Sequence, residues 1–319
     1  MRERTISTFL SIVFLISLTS IYAQEMKEIH KTFEAKESVR IKTVSGDCIV
    51  KAGGADQIKV DIVYSVHPED AFEPDFQEKG SSLHIKERWY GSSSGEVTWT
   101  LTVPPTTEIR FSTASGDLTV SNITNSIEAN TASGDITIEN SEGEYEISTA
   151  SGDIELDESK GEFELSTASG DIEARNISGE IEFSTASGEI KVRNSKGTFE
   201  LSCASGDIKA SEIILDEEGS FSTASGDVEV RLAESTKYDL DLSAASGDVE
   251  LDYNGNPITG YFEFTAKKRR GDIRSPIDFD QEEEFERHGD VYVRKSFTSG
   301  SKTPRIFLST ASGKAVLKK

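Results

Sequence analysis

Gly161-Glu162-Phe163-Glu164-Leu165-Ser166-Thr167-Ala168-Ser169-Gly170-Asp171-Ile172-Glu173-Ala174-Arg175 is one unit of a phrase that returns along most of this chain. Its centre, Ser-Thr-Ala-Ser-Gly-Asp, stands at 112–117, 148–153 and 166–171, with close variants at 130–135, 184–189, 202–207, 222–227 and 243–248. Gly116, Gly134, Gly152, Gly170, Gly188 and Gly206 follow at steps of 18 residues, and the steps to Gly226 and Gly247 lengthen to 20 and 21. A fixed period marks a repeat architecture, in which each unit buries its apolar side only against its neighbours. Within the unit, Phe163 and Leu165 alternate with Glu164 and Ser166; beyond the corner, Ile172 and Ala174 alternate with Glu173 and Arg175. That is the two-residue period of half-buried strands. The second corner is polar and carries glycine, as at Ser178-Gly179 and Ser195-Lys196-Gly197.

Two architectures fit such units, a β-solenoid and a meander of antiparallel hairpins. Short glycine-bearing turns are good hairpin signals. A meander, however, needs a second layer over its apolar face, and no helical period is present to supply one. Near-identical units stack naturally, with Phe163 over Ile181 and Phe199. The reading is therefore all-β: a β-solenoid (β-helix) of about 18-residue, two-strand coils with irregular capping ends.

Outside the regular body the pattern loosens at both ends. Val44-Ser45-Gly46-Asp47 already carries the phrase, and Ile58 to Val66, Ser82 to Trp89 and Glu96 to Val103 read as strands before Pro104-Pro105 punctuates the chain. Downstream, Gly260 to Ala266 and Asp290 to Lys295 read as strands around an acidic loop, Asp278 to Glu286. The phrase returns at Ser309 to Gly313 as a last coil expected to close the far end. Residues 24–111 are thus expected to form an N-terminal cap, 112–253 the regular solenoid, and 254–319 irregular C-terminal coils and a cap.

Residues 1–23 have the order of a secretory signal peptide. Arg2 and Arg4 precede an apolar run from Phe9 to Leu18, then Ile21-Tyr22-Ala23. That run is too short for a comfortable membrane span, and no other stretch approaches one. The mature chain is expected to be exported: periplasmic, at the cell surface or secreted. An exported chain with two cysteines invites a disulfide. The repeat argues otherwise. Cys48 lies before the first regular unit and Cys203 in the sixth, so at about 4.8 Å per coil they should sit roughly 25 Å apart or more. A bridge needs Cα atoms within about 7 Å. Both are expected as small buried side chains.

Hydrophobic content of 35% is low for a compact core and suits a thin solenoid with one wet face per strand. The net charge of −23 is concentrated in the body: residues 112–253 hold 8 basic and 32 acidic side chains. Such a body repels nucleic acid and anionic lipid, and attracts cations or basic surfaces.

Stacking turns residues 18 apart into columns. Asp117, Asp135, Asp153, Asp171 and Asp207 are expected to bond backbone N–H groups at their own corners, with Gly116, Gly134, Gly152, Gly170 and Gly206 completing those turns. A calcium ladder would need more oxygens per site than one carboxylate per corner supplies. Glu128, Glu146, Glu164, Glu182 and Glu200 form a second column on the outer face of the first strand, with no basic residue among them. The other outer face alternates in sign, Glu173 beside Lys191 and Asp157 beside Arg175. The uncompensated glutamate face is the candidate surface for cations, calcium included, or for a basic partner. The unvarying alanines, Ala168 among them, are expected at a tight corner where a larger side chain would clash. Thr149, Thr167 and Thr185 would then lie at the core edge; the opposite phase would expose them as a regular threonine array, as in ice-binding solenoids.

No catalytic constellation emerges. His30, His67, His84 and His288 show no metal-ligand spacing, and there is no nucleophile elbow or phosphate loop. The enzyme alternative is a polysaccharide-cleaving β-helix (lyase or hydrolase), which would need unlike residues gathered in a cleft. Arg270-Gly271-Asp272 sits where the repeat expects Ser-Gly-Asp and reads as a substituted corner. Lys267 to Arg270 are expected to pair with Glu282-Glu283-Glu284.

The Ser-Gly-Asp-Ile/Val units, the entry Leu101-Thr102-Val103-Pro104-Pro105 and the closing Ile306 to Lys314 resemble a bacterial family, the "putative adhesin" domain of unknown function. The resemblance runs from about Val39 to the end. It implies a β-helical solenoid outside the cytoplasm and surface binding, and it brings no catalytic residue. The 24-residue step to Gly271 departs from the regular pattern. The expected function is that of an exported, non-enzymatic, adhesin-like binding or scaffold protein at the cell envelope. Its partner would be an envelope or extracellular protein or glycan.

Overall fold

A computed structural model gives the structure of residues 26–319; the leader read at 1–23 lies outside the described residues. Every regular element among them is a strand. The strands Ile127–Thr131, Glu142–Thr149, Lys160–Thr167, Ser178–Thr185 and Lys196–Ser205 build one sheet, and Ile136–Glu139, Ile154–Asp157, Ile172–Arg175 and Ile190–Arg193 the other. Neighbours pair in parallel, which excludes an antiparallel meander for the body. Tyr145 faces Phe163, Phe163 faces Ile181 and Ile181 faces Phe199 in register. The alternation therefore turns one file of apolar side chains inward from each sheet, and Phe163, Leu165, Ile172 and Ala174 are all buried. The rings of Tyr145 and Phe163 stack at 4.7 Å. The regular step breaks in Ile208–Ser225, one long strand that serves both sheets and shifts register in each.

The first corner is held by three columns with separate tasks. A Cβ added to Gly170 would lie 1.9 Å from the carbonyl oxygen of Gly152, and the same holds from Gly152 to Gly134. The glycines are required by the close approach of successive corners. The local turn is made by threonine: Gly170 N–H donates to Thr167 Oγ1 at 3.0 Å, and that hydroxyl donates to the Gly152 carbonyl at 3.2 Å. Aspartate acts between coils. Asp153 N–H donates to Asp135 Oδ1 and Asp171 N–H to Asp153 Oδ1, each at 2.8 Å. The expectation that each aspartate closes its own turn is corrected: a hydroxyl one atom closer to the backbone already fills that place. The buried Thr149, Thr167 and Thr185 also rule out an exposed threonine array.

The second corner turns on a residue in the left-handed region. Asn122, Asn140, Asn176 and Asn194 have φ between 46° and 60°, and Glu158 takes φ 49° in the same column. Asparagine enters this region more readily than glutamate, whose Cβ clash with the backbone is not offset, and here its amide joins coils, Asn140 Nδ2 donating to Asn122 Oδ1 and Asn176 Nδ2 to Asp157 Oδ1. Glu158 is exposed. Glu158→Asn is expected to stabilise the fold by about 1 kcal/mol, read as a higher midpoint in urea unfolding with unchanged slope.

Chain ends fold back into the stack. Ser38–Lys42 and Asp47–Ala52 lie directly beneath Glu108–Ser112 and Leu118–Ser121, while Ser82–Trp89 and Ser94–Val103 pair on their other side. Antiparallel strands then cover this end: Gln57–His67 and Lys27–Glu34 on one sheet, Phe72–Lys79 on the other. At the opposite end the last coil, Arg305–Thr310 and Lys314–Lys318, does not close the array as expected. It is held between Leu240–Ser246 with Val249–Asp252 and Gly260–Lys267 with Asp272–Arg274. The antiparallel hairpin Gln281–Arg287 and Asp290–Ser299 finishes that sheet.

The expected acidic loop is thus largely a strand. Its charges are met across the hairpin by Glu282–Lys295 at 3.0 Å and Glu283–Arg294 at 2.8 Å, so pairing overrides composition. Of the basic run, Lys268 reaches Glu284 at 2.5 Å, but Lys267 pairs with Asp290 instead. Arg270-Gly271-Asp272 is a corner, with Asp272 N–H on the Gly313 carbonyl at 3.0 Å. Cys48 and Cys203 are free and buried.

Candidate functional site

Each strand of the first sheet presents its even-numbered glutamate outward because its odd-numbered neighbours are drawn into the core. The parallel register places Glu128, Glu146, Glu164, Glu182 and Glu200 side by side. Glu146, Glu164, Glu182 and Glu200 are exposed. Glu128 pairs with Arg110 at 2.9 Å; among the described residues no ion pair reaches the other four. Adjacent carboxylates at strand spacing repel by about 1 kcal/mol in water. Below Glu128 the same column turns basic, with Arg110 and then Arg40 in register. Beyond Glu200 it continues as Ser220, Asp241 and Phe307.

A second acidic column stands beside the first and was not singled out from the sequence. Glu144, Glu162 and Glu180 are in register on the same outer face. Their signal was present, since they obey the same 18-residue spacing two positions earlier. These carboxylates form a flat array with no convergence. Among the described residues no group of three or more His, Cys, Asp or Glu is placed to hold a metal ion.

The opposite outer face is neutralised internally. Arg175 meets Glu155, and reaches Glu173 at 3.5 Å and Asp157 at 3.9 Å. Lys191 and Lys209 both pair with Glu189, at 2.6 and 2.7 Å, and those two lysines hold its carboxyl below the usual range against the effect of burial. The contrast between the faces is a contrast in available charge.

Next to the glutamate column runs an open groove of about 1090 Å³ along the first corner, lined by outward serines, buried-edge threonines and the alanines. Ala168, Ala186 and Ala204 are exposed, so the expected steric squeeze on alanine is corrected. The tight point is the glycine two residues later. At one end the groove meets Arg287, His288 and Tyr292, at the turn of the closing hairpin.

A family model described as Toastrack DUF4097 matches residues 34–192 and, in a second overlapping pass, 177–273. The chain belongs to the Toastrack DUF4097 family. The Toastrack matches span both the N-terminal cap and the regular coils, and they stop before the closing hairpin. No curated protein matches the chain. Solved structures similar to this Toastrack chain include a "putative lipid binding protein" from Parabacteroides distasonis, 13% identical, covering 93% of this chain and 98% of that one with a TM-score of 0.43. A "putative adhesin" from Bacteroides fragilis is 14% identical over 92% and 96% of the two chains, with a TM-score of 0.34. A "putative cell adhesion protein" from Clostridium sporogenes is 11% identical over 92% and 99%, with a TM-score of 0.22.

The histidines of the Toastrack chain stand apart. His30 pairs with Asp61 at 2.6 Å, which raises its pKa, on an edge strand far in sequence from the groove. His84 lies in register with Arg40, and burial lowers its pKa. Chemically, this surface offers a ladder of carboxylates for electrostatic attraction and a hydroxyl-lined groove with a cationic, aromatic end.

Proposed function

We propose that this Toastrack chain is an exported, non-enzymatic β-solenoid of about 18-residue coils, working as an adhesin-like binding or scaffold protein at the bacterial cell envelope. The single observation behind the binding role is the uncompensated column Glu146–Glu164–Glu182–Glu200 opposite a face whose charges are paired. Like charges set side by side cost stability, and a partner that neutralises them returns it. The polar residues of the corners are already engaged in structural bonds, which supports a non-enzymatic role. Export rests on the leader at 1–23. No helix among the described residues is long and apolar enough to cross a membrane.

The test is binding of the mature chain to glycan arrays and envelope fractions, with and without calcium. It compares the native protein with the triple variant Glu146→Gln, Glu164→Gln, Glu182→Gln. The expected result is at least about a tenfold loss of partner or calcium affinity, with folding intact because all three side chains are exposed. Binding unmoved by the triple change would overturn the role of this face. Recovery of the protein solely from the cytoplasm would overturn the export.

A further inference from the structure

The groove along the first corner is chemically polarised. Along its length it offers serine hydroxyls and alanine methyls, with exposed carboxylates of Glu164, Glu182 and Glu200 two residues away on the same strands. At its far end Arg287, His288 and Tyr292 of the closing hairpin line the groove together with Ser309 and Thr265. In a chain of net charge −23, the side chains of Arg287 and His288 have no ion pair or hydrogen bond among the described residues. Most cations nearby are consumed: Lys267 by Asp290, Lys268 by Glu284, Arg294 by Glu263 and Glu283, Lys295 by Glu282. Tyr292 is held by its stack on Phe285, centroids 5.7 Å apart.

We infer that this groove binds a linear oligosaccharide whose body is neutral and whose one acidic sugar lies at the hairpin end. The inference rests on the binding role proposed above and names its ligand. The backbone along the groove is already engaged in the parallel ladder, so no free strand edge is open to a peptide. Alanine and serine offer no deep apolar pocket for the aromatic or leucine anchors of a protein partner. Hydroxyls, small methyl surfaces, a ring for stacking and neighbouring carboxylates as acceptors suit sugar hydroxyls and C–H faces. The carboxylate columns disfavour anionic sugars along the groove, while the unpaired Arg287 guanidinium favours one carboxylate at the end, where its planar fork can grip both oxygens.

The probes are linear neutral oligosaccharides (cello-, chito- and manno-pentaoses), each compared with its own aldonic acid, titrated by calorimetry into the mature chain. At least one series should bind, with the acid form tighter than its parent by about tenfold, the gain of one charge-assisted contact. Arg287→Gln should remove that preference and leave the affinity for the parent sugar unchanged. Tyr292→Ala should weaken both forms. Arg287 is exposed at the last position of the strand Gln281–Arg287, so its variant folds, and identical far-ultraviolet spectra check this. Equal binding of acid and parent, persistence of the preference in Arg287→Gln, or absence of binding across all three series would overturn the inference. If a peptide competes in place of sugar, the inference also falls. Loss of affinity in the triple glutamine variant together with no effect of Arg287→Gln would leave the envelope-binding role standing and remove this ligand assignment.

Discussion

Glu87→Ala is expected to cost about 4 kcal/mol, because it removes a buried carboxylate and strands the donors gathered on it. Glu87 is nearly buried, and Trp99 Nε1 donates to its Oε1 at 2.7 Å. Its Oε2 accepts from Val44 N–H at 2.7 Å, Trp89 Nε1 at 3.2 Å and Ser45 N–H at 3.4 Å. In the regular coils a corner N–H such as that of Ala168 is accepted by a backbone carbonyl of the preceding coil, Thr149. At the corner of Val44 the layer beneath is Ser82–Trp89 with Ser94–Val103, and there the Glu87 side chain takes the acceptor's place that a backbone carbonyl fills in the regular coils. Both tryptophans of the chain bond to it, so tryptophan emission reads the site directly. Guanidinium unfolding should show the destabilisation, and hydrogen exchange should show it concentrated at residues 43–47. An emission spectrum and midpoint identical to the native protein's would refute this account of the cap.

Gly170→Ala is expected to cost about 3 kcal/mol, the upper part of what overpacking usually costs. The added methyl would sit 1.9 Å from the Gly152 carbonyl oxygen and 3.0 Å from Asp153 Oδ1, so the corners must part. Backbone atoms cannot swing away as a flexible side chain would. Parting them also stretches the Asp171-to-Asp153 bond and the Thr167-to-Gly152 bond that join the same two coils. The control is Ala168→Ser, at an exposed position two residues earlier, expected within about 0.5 kcal/mol of native. The two substitutions distinguish a corner limited at glycine from one limited at alanine. If Ala168→Ser proved the costlier, the assignment would be reversed.

What the sequence revealed follows from how far each feature depends on period alone. Parallel stacking, the inward file through Phe163 and the outward files through Glu164 and Arg175 all follow from alternation and an 18-residue step. The division of labour at the corner does not. Thr167 and Asp171 are both Asx- or ST-type turn formers, and only coordinates show that threonine takes the local bond while aspartate reaches the next coil. Strict alternation from Phe163 points Ala168 outward, where it is exposed; the constancy of the alanine, not its direction, suggested a squeeze. Glu87 was invisible for a different reason: its partners Val44 and Trp99 are joined to it by the fold, not by any spacing. The hairpin was missed because Gln281 to Arg287 is nearly all charge, and its pairing depends on cations supplied by Asp290–Ser299.

Both termini of the array are clasped by chain that doubles back: the coil that begins at Ser38–Lys42 is gripped between Ser82–Trp89 and Glu108–Ser112, and the coil that begins at Arg305–Thr310 between Leu240–Ser246 and Gly260–Lys267. A new coil cannot be added at either extremity without undoing a clasp. In the middle, each layer touches only the two beside it, and one more or one fewer leaves both clasps untouched. Length in such a rod is therefore free to vary by internal duplication or loss. The reach of the molecule can change from one descendant to another while its two fastenings stay the same.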